Sequence, residues 1–177
     1  MKKWMLLVGL ILIFAGCTDP GPGFPEGEVL GYQPVYAVDS DFEIELLPRQ
    51  AAVNTGKIFR RGNLLLLSEV NEGIHIIDNT DPTAPVNLGF LKVKGSSDMW
   101  AEGELLYVNQ FSDIVTVDFS DLENVREISR EPNAFSAFLV DQQIPPLAGF
   151  YFVCPDSTRG RIVDWQLVNI NQPKCFR

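Results

Sequence analysis

The sequence offers few side chains from which a catalytic site could be built. His75 is the only histidine, and it alternates with Ile74 and Ile76 in an apolar run, which favours a side chain packed within a sheet. No Gly-x-Ser-x-Gly elbow accompanies it, so a serine–histidine–carboxylate triad has little to build on. Phosphate-binding glycine loops and zinc-ligand clusters are also missing. We therefore expect no catalytic residues, no metal and no other cofactor.

Two loops concentrate oxygen-bearing side chains. Residues 78–81 read Asp-Asn-Thr-Asp, and residues 118–123 read Asp-Phe-Ser-Asp-Leu-Glu. Such oxygens suit calcium, but Asp, Asn and Ser also accept backbone hydrogen bonds in tight turns, which explains both loops more simply. Acidic pairs such as Asp113 with Asp118 would serve glycoside hydrolysis only at the right carboxylate separation, so we assign them no such role.

Aromatic side chains near the ends of apolar runs are the best candidates for binding. A flat ring there could stack on a sugar or on an apolar side chain of a partner, although packing inside the fold is the commoner role. The candidates are Trp100, Tyr107, Phe111 and Trp165.

Two cysteines near the end of the sequence could be oxidised if the chain lies outside the cytoplasm. Cys154 and Cys175 could form a disulfide that closes a loop of about 20 residues and stabilises the fold by roughly 3 kcal/mol. Two independent thiols are the alternative. The third cysteine, Cys17, has a different context.

The first 17 residues are typical of an export signal. Lys2 and Lys3 precede an apolar run over residues 4–14, which is shorter than the roughly 20 residues of a membrane-spanning helix. Residues 14–17, Phe-Ala-Gly-Cys, resemble the lipobox of bacterial lipoproteins, although Leu is commoner than Phe14 at its first position. The resemblance implies a signal peptide over residues 1–16 and acyl chains, such as palmitate, on Cys17. Two or three chains anchor a protein stably.

We therefore expect a lipid-anchored protein of the cell envelope, with the outer membrane favoured over other membranes. Ordinary secretory cleavage is the alternative. The mature chain would have 161 residues, enough for one domain, with 12 basic and 23 acidic residues and a net charge of −11. A surface this acidic excludes nucleic acid as a partner and leaves membrane attachment to the lipid.

A segment rich in proline and glycine follows Cys17. We expect residues 17–40 to hold the lipidated cysteine and a semi-extended tether, with a loop that packs back on the domain as the alternative. The folded β-repeat domain would then span residues 41–177. Residues 41–47 alternate polar and apolar side chains and predict a half-buried strand.

An internal repeat of about 40 residues is the most informative pattern. Its units are residues 57–93 and 98–130, with Gly62 aligned on Gly103 and Asp78 on Asp118 as turn residues. Apolar runs separated by Gly, Asn, Asp and Pro predict short antiparallel strands. The predicted strands are 57–60, 64–68, 74–78 and 86–93, then 99–101, 105–109, 114–118 and 125–129. Four strands per unit are typical of a propeller blade.

Residues 73–82 (GIHIIDNTDP) and 113–121 (DIVTVDFSD) resemble the LVIVD repeat, a β-propeller motif of bacterial and archaeal surface proteins. The resemblance extends from about residue 31 to residue 130 and implies a propeller-like fold outside the cytoplasm, with no established activity. His75 and Thr116 interrupt the apolar core of the motif, and the second unit lacks the Asp-Pro of the first.

The chain is too short for a complete propeller, which usually has about four to eight blades. We expect an all-β fold with two clear blades and a degenerate third, a hairpin over residues 150–168, which together do not close a ring. Open blades must be capped, paired with a copy or completed by a partner.

These features predict a non-catalytic binding or scaffold module that contacts an envelope protein or a glycan. The alternative is a structural subunit that forms homo-oligomers or completes a partner's propeller. A truncated relative of a longer protein, without a function of its own, is a further alternative.

Overall fold

The computed structural model describes residues 23–135 and 143–177. About half of the residues lie in strands and very few in helices, which confirms the all-β class. The described strands form three sheets, none of which closes on itself. The predicted signal peptide, Cys17 and the first residues of the predicted tether lie outside the described residues.

The sheets are built from short strands, numbered here in chain order. They are β1 (Glu28–Tyr36), β2 (Glu45–Leu47), β3 (Thr55–Arg61), β4 (Leu64–Glu69), β5 (Gly73–Asp78), β6 (Val86–Lys92), β7 (Met99–Glu102), β8 (Leu105–Gln110), β9 (Asp113–Asp118), β10 (Arg126–Glu131), β11 (Tyr151–Phe152), β12 (Ile162–Asn171) and β13 (Cys175–Phe176). Short 3-10 turns occupy Asp39–Asp41 and Ser157–Arg159.

Each repeat unit forms an antiparallel sheet of its own. The first sheet has the order β2-β6-β5-β4-β3, and the second has the order β10-β9-β8-β7. Strands β3 to β10 agree with the eight predicted strands to within a few residues. The agreement follows from apolar runs that are separated by strong turn residues.

The aligned glycines form the same turn in both units. Gly62 has φ +55° and Gly103 has φ +58°, and each is the first residue of a two-residue hairpin turn. A glycine with positive φ at that position fits the type II′ turn, whose twist matches that of the flanking strands. A side chain at either position would strain this backbone conformation.

The two sheets share one apolar core, to which they contribute opposite faces. Ile74 and Ile76 of β5 are buried in this core, whereas in β9 the buried residues are Val115 and Val117. Ile76 and Ile74 lie two and four residues before Asp78. Val117 and Val115, in contrast, lie one and three residues before the aligned Asp118. Since alternate residues of a strand point to opposite faces, the aligned residues of the two units face opposite ways.

This core is one apolar cluster to which both sheets contribute. Strand side chains from both sheets enclose it almost completely, so its members are well shielded from water. Its buried members are Leu66, Ile74, Ile76, Leu91, Val93, Met99, Ala101, Leu106, Val108, Val115, Val117 and Phe119.

The third sheet corrects two sequence predictions. Its order is β12-β1-β11-β13, so residues 28–36 form a central strand where a tether was expected. The alternative, a segment that packs back on the domain, is the one that the structure supports. Gly31 is needed there because a Cβ would come within 2.5 Å of both the Tyr151 backbone oxygen and the Ile170 side chain. The folded domain therefore begins well before residue 41.

The predicted hairpin over residues 150–168 is also wrong. Strands β11 and β12 are not neighbours, because β1 lies between them, antiparallel to β12 and parallel to β11. Nine residues of β1 pair with β12, whereas β11 has only two residues with which to pair. Cys154 and Cys175 form a disulfide with a Cα–Cα distance of 5.3 Å beside the β11–β13 pair.

The strand predicted over residues 41–47 is shorter than expected. Only residues 45–47 pair, on the edge of the first sheet, because the preceding residues turn. The Asp41 carboxylate stabilises that turn by accepting a hydrogen bond from the Val38 backbone N–H at 2.9 Å.

The inverted packing makes a specific prediction for neighbouring isoleucines. Ile76→Ala should lower the free energy of unfolding by about 3 kcal/mol, because it leaves a cavity in the shared core. Ile77→Ala should cost less than half as much, although Ile77 aligns with the fully buried Val117. Urea denaturation of both variants measures the difference. Equal losses would contradict the assignment of faces.

Candidate functional site

The aligned aspartates act as turn-forming residues. Asp78 Oδ1 accepts hydrogen bonds from the Thr80 hydroxyl at 2.6 Å and from its backbone N–H at 2.8 Å. Asp118 Oδ1 accepts the same pair from Ser120, at 2.7 Å and 3.1 Å. These bonds hold the pKa of both carboxyls below the usual value. Each carboxylate is thus engaged by its own loop.

The same arrangement recurs outside the repeat. Asp156 Oδ1 accepts from the Thr158 hydroxyl and backbone N–H in the connection between β11 and β12, a copy that the sequence did not predict. No cluster of three or more potential metal ligands occurs in the described part of the chain. Turn formation therefore accounts for the oxygen-rich loops.

His75 belongs to a buried structural pair. Its Nε2 donates to Glu69 Oε2 at 3.0 Å, and its ring lies 4.8 Å from that of Phe90. The Glu69 carboxylate also accepts the backbone N–H groups of Asn54 and Val53, and with His75 they lower its pKa. Residues 48–54 connect β2 and β3, the two edge strands of the first sheet. Glu69 thereby holds this segment against the outer face of the first sheet.

A buried ionic cluster joins the second sheet to the third. The Asp113 carboxylate accepts hydrogen bonds from Arg130 Nη1 and Arg161 Nη2, each at 3.1 Å, and from the Asn133 backbone N–H at 3.0 Å. Burial alone would raise the pKa of Asp113, but the Asn133 N–H and the two guanidinium groups outweigh it and lower the pKa. Asp113 is therefore a fully engaged anion.

Arg130 extends this cluster to the segment before β2. Its Nη2 donates to Gln110 Oε1 at 2.7 Å and to the Phe42 backbone oxygen at 3.3 Å. The buried Gln110 in turn donates to the Asp41 backbone oxygen at 3.1 Å. Glu127 and Asp113 outweigh the effect of burial and raise the pKa of Arg130. The cluster connects three parts of the fold.

The acidic pair Asp113 and Asp118 does not form a two-carboxylate site. The two residues are five positions apart on β9, about 16 Å along a strand, and their side chains leave opposite faces. Asp113 is also neutralised by its two arginines. This geometry does not match the separation of glycosidase carboxylates.

The four candidate aromatic residues lie in different environments in the structure. Phe111 is buried, has φ +54° and packs against Phe42 with ring centroids 5.7 Å apart, so it is a core residue. Trp165 contacts Phe152 in the third sheet. Trp100 and Tyr107 pair across β7 and β8 on the outer face of the second sheet.

Trp100 and Tyr107 line an open groove of about 340 Å³, hereafter the aromatic groove. Trp100 is 59% exposed, and Phe135 and Ile114 complete the apolar wall. Asp98 lies at the rim and pairs with Lys57 at 2.6 Å. A flat aromatic surface with polar groups at its border can contact a sugar ring or an apolar side chain.

A second cavity, of about 380 Å³, lies between the third sheet and the turns of the repeat units. Lys94, Glu72 and Asp164 are among its polar lining residues, but the Lys94 ammonium already pairs with Asp41 at 2.7 Å. Its one aromatic residue, Phe111, is turned into the core. The aromatic groove therefore remains the better binding candidate.

Comparisons of the chain with protein-family models, with curated proteins and with solved structures found no match in any of the three. None of the helical segments in the described residues has the length and hydropathy of a membrane-spanning helix. Cys17, the predicted lipidation site, lies outside these residues.

The ionic cluster predicts a pH-dependent loss of stability. Asp113→Asn should lower the free energy of unfolding at neutral pH by about 3 kcal/mol, because two partly buried guanidinium groups lose their anion. Since the pKa of Asp113 is lower in the folded state, its contribution is complete above the unfolded pKa of about 4 and disappears as the pH falls through the folded pKa.

Urea denaturation over a pH series measures this effect. The difference between the wild type and Asp113→Asn should be constant above about pH 4 and shrink below it. The exposed Asp39→Asn is the control and should change stability little. A difference that grew as the pH fell would contradict the role of an ionised Asp113.

Proposed function

We propose that this protein is a lipid-anchored lipoprotein of the bacterial cell envelope that acts as a non-catalytic binding or scaffold module. The aromatic groove is the observation that carries the binding proposal. It combines exposed apolar and aromatic side chains with a polar rim, the composition that is enriched at the centres of protein interfaces. An envelope protein or a glycan is the partner that fits this surface.

The sheets are interpreted as propeller-like blades that do not form a ring. Blades stack with the front of one against the back of the next, and the opposite faces used by the two repeat units support this arrangement. The third sheet would be a degenerate blade made from both ends of the described chain. The LVIVD resemblance of residues 73–82 and 113–121 agrees with this interpretation.

A non-catalytic role is supported by the state of the acidic residues. Asp78 and Asp118 serve their own turns, Glu69 fastens a connection, and Asp113 is paired with arginines. General acid or base catalysis needs a carboxylate that can reach a substrate. A turnover that depended on one of these acids would contradict this part of the proposal.

A structural subunit that self-assembles is the second candidate. The exposed Trp100 and Phe135 beside the second sheet favour it, because exposed apolar side chains invite association. The edge strand β10, however, is rich in charged residues, a composition that discourages edge pairing. Light scattering on the chain without its leader separates the two candidates, because a stable monomer would exclude homo-oligomerisation.

The anchor predicts a change in cell fractionation. Cys17→Ser should move the protein from the membrane fraction to the soluble envelope fraction, because no thiol remains to carry the acyl chains. Cys154→Ser with Cys175→Ser is the matched control and should leave the protein in the membrane fraction. Unchanged membrane retention of Cys17→Ser would contradict the lipid anchor.

The aromatic groove predicts a loss of binding. Trp100→Ala with Tyr107→Ala should weaken capture of the partner from envelope extract, or binding on a glycan array, by about tenfold or more. Leu30→Ala, which removes an exposed apolar side chain from the third sheet, should have no effect. Equal capture by all three proteins would contradict the assignment of the groove.

A further inference from the structure

Three aromatic rings form an exposed patch at the β11–β13 edge of the third sheet. Tyr151 lies between Phe24, at 6.2 Å, and Phe176, at 5.0 Å, measured between ring centroids. Phe24 is 49% exposed and Phe176 is 40% exposed. We call these three residues the anchor-side patch.

The patch is tied to the start of the described chain. The Tyr151 hydroxyl donates a hydrogen bond to the Gly23 backbone oxygen at 2.8 Å. Farther along, the Gln172 side-chain amide donates to the Glu26 backbone oxygen at 3.1 Å. The chain therefore contacts the folded domain from Gly23 onward, whereas the predicted tether implied that such contacts begin near residue 40.

This attachment limits the distance between the patch and the anchor. Cys17 precedes Gly23 by six residues, and six residues span at most about 20 Å when fully extended. A lipidated Cys17 sits at the membrane surface. The anchor-side patch must therefore remain close to the lipid headgroups.

We propose that the anchor-side patch docks on the lipid surface, so that the domain rests against the membrane instead of standing away from it. The proposal relies on the lipid anchor of the proposed function. Aromatic side chains are favoured in the interfacial region of a bilayer, where an apolar ring and a polar edge are both accommodated. Tyr151 and the two phenylalanines offer this chemistry.

Charge supports a lipid surface as the occupant. Lys174 and Arg177 lie within two residues of Phe176 and are exposed, and the Arg177 guanidinium also donates a hydrogen bond to the Pro145 backbone oxygen. They are cations in a chain whose mature form would carry a net charge of −11. Basic residues beside an apolar contact favour anionic headgroups, whereas the rest of the acidic surface is repelled by them. The lipid anchor would thus hold the domain at the membrane, and the anchor-side patch would orient it.

The opposite face of the same sheet provides a matched control. Leu30 and Leu167 are 54% and 45% exposed. The register places them on the face of Tyr32, while Tyr151 pairs with Gly31 on the other face. Replacing these two leucines removes a comparable apolar area from the face that the proposal turns away from the membrane.

The test attaches a single acyl chain chemically to the mature chain. Residues 17–177 are made without the leader, and Cys17, the one cysteine outside the Cys154–Cys175 disulfide, is coupled to an acyl maleimide. One chain alone binds membranes only marginally and reversibly, so an added contact is measurable. Flotation with vesicles of phosphatidylethanolamine and phosphatidylglycerol gives the ratio of bound to free protein.

Phe24→Ala with Phe176→Ala should lower this ratio by about tenfold, whereas Leu30→Ala with Leu167→Ala should leave it unchanged. Equal ratios for both double variants would overturn the docking proposal. Circular dichroism checks that both variants remain folded. Because the acyl chain is attached chemically, this result does not depend on natural lipidation, which the mass of the N-terminal peptide from membranes tests separately.

Discussion

The packing of the two repeat sheets through opposite faces is the constraint on which the rest of the structure depends. One face of each sheet is buried in the shared core around Ile76 and Val117, so the other face of each sheet lies outside this core. On the first sheet, residues 48–54 are fastened over that face by Glu69. On the second sheet the remaining face carries the exposed Trp100. The asymmetry between a covered and an open face is what makes one surface available for binding.

Among the described residues, the third sheet adds no side chain to the shared apolar core, and it contacts the second sheet through charged groups. Arg161 precedes β12 and donates to Asp113 on β9, while the Arg161 backbone oxygen accepts from Ala37, which follows β1. Removing one partner of such a buried ion pair is destabilising, because it leaves the other charge without compensation. The sheet that would face the membrane is thus held in a defined position relative to the proposed binding surface.

Local pattern in the sequence was enough to predict the strands and turns of the repeat units. Gly62 and Gly103 indicate their turns in the sequence, because few other residues adopt positive φ without strain. The burial of aligned residues on opposite faces could not be predicted, because it depends on which side the neighbouring sheet lies. Strand β1 was hidden by its Gly and Pro residues, and its partners come from more than 100 residues away. The pairing of Asp113 with Arg130 and Arg161 could not be predicted, because only the fold brings these residues together.

The opposed faces can be tested most directly by methyl NMR. Nuclear Overhauser effects should connect the methyl groups of Ile74 and Ile76 with those of Val115 and Val117, because all four lie in one buried cluster. Ile77 should show none to these valines. Contacts from Ile77 to Val115 or Val117, with none from Ile76, would contradict the packing on which this account of the protein rests.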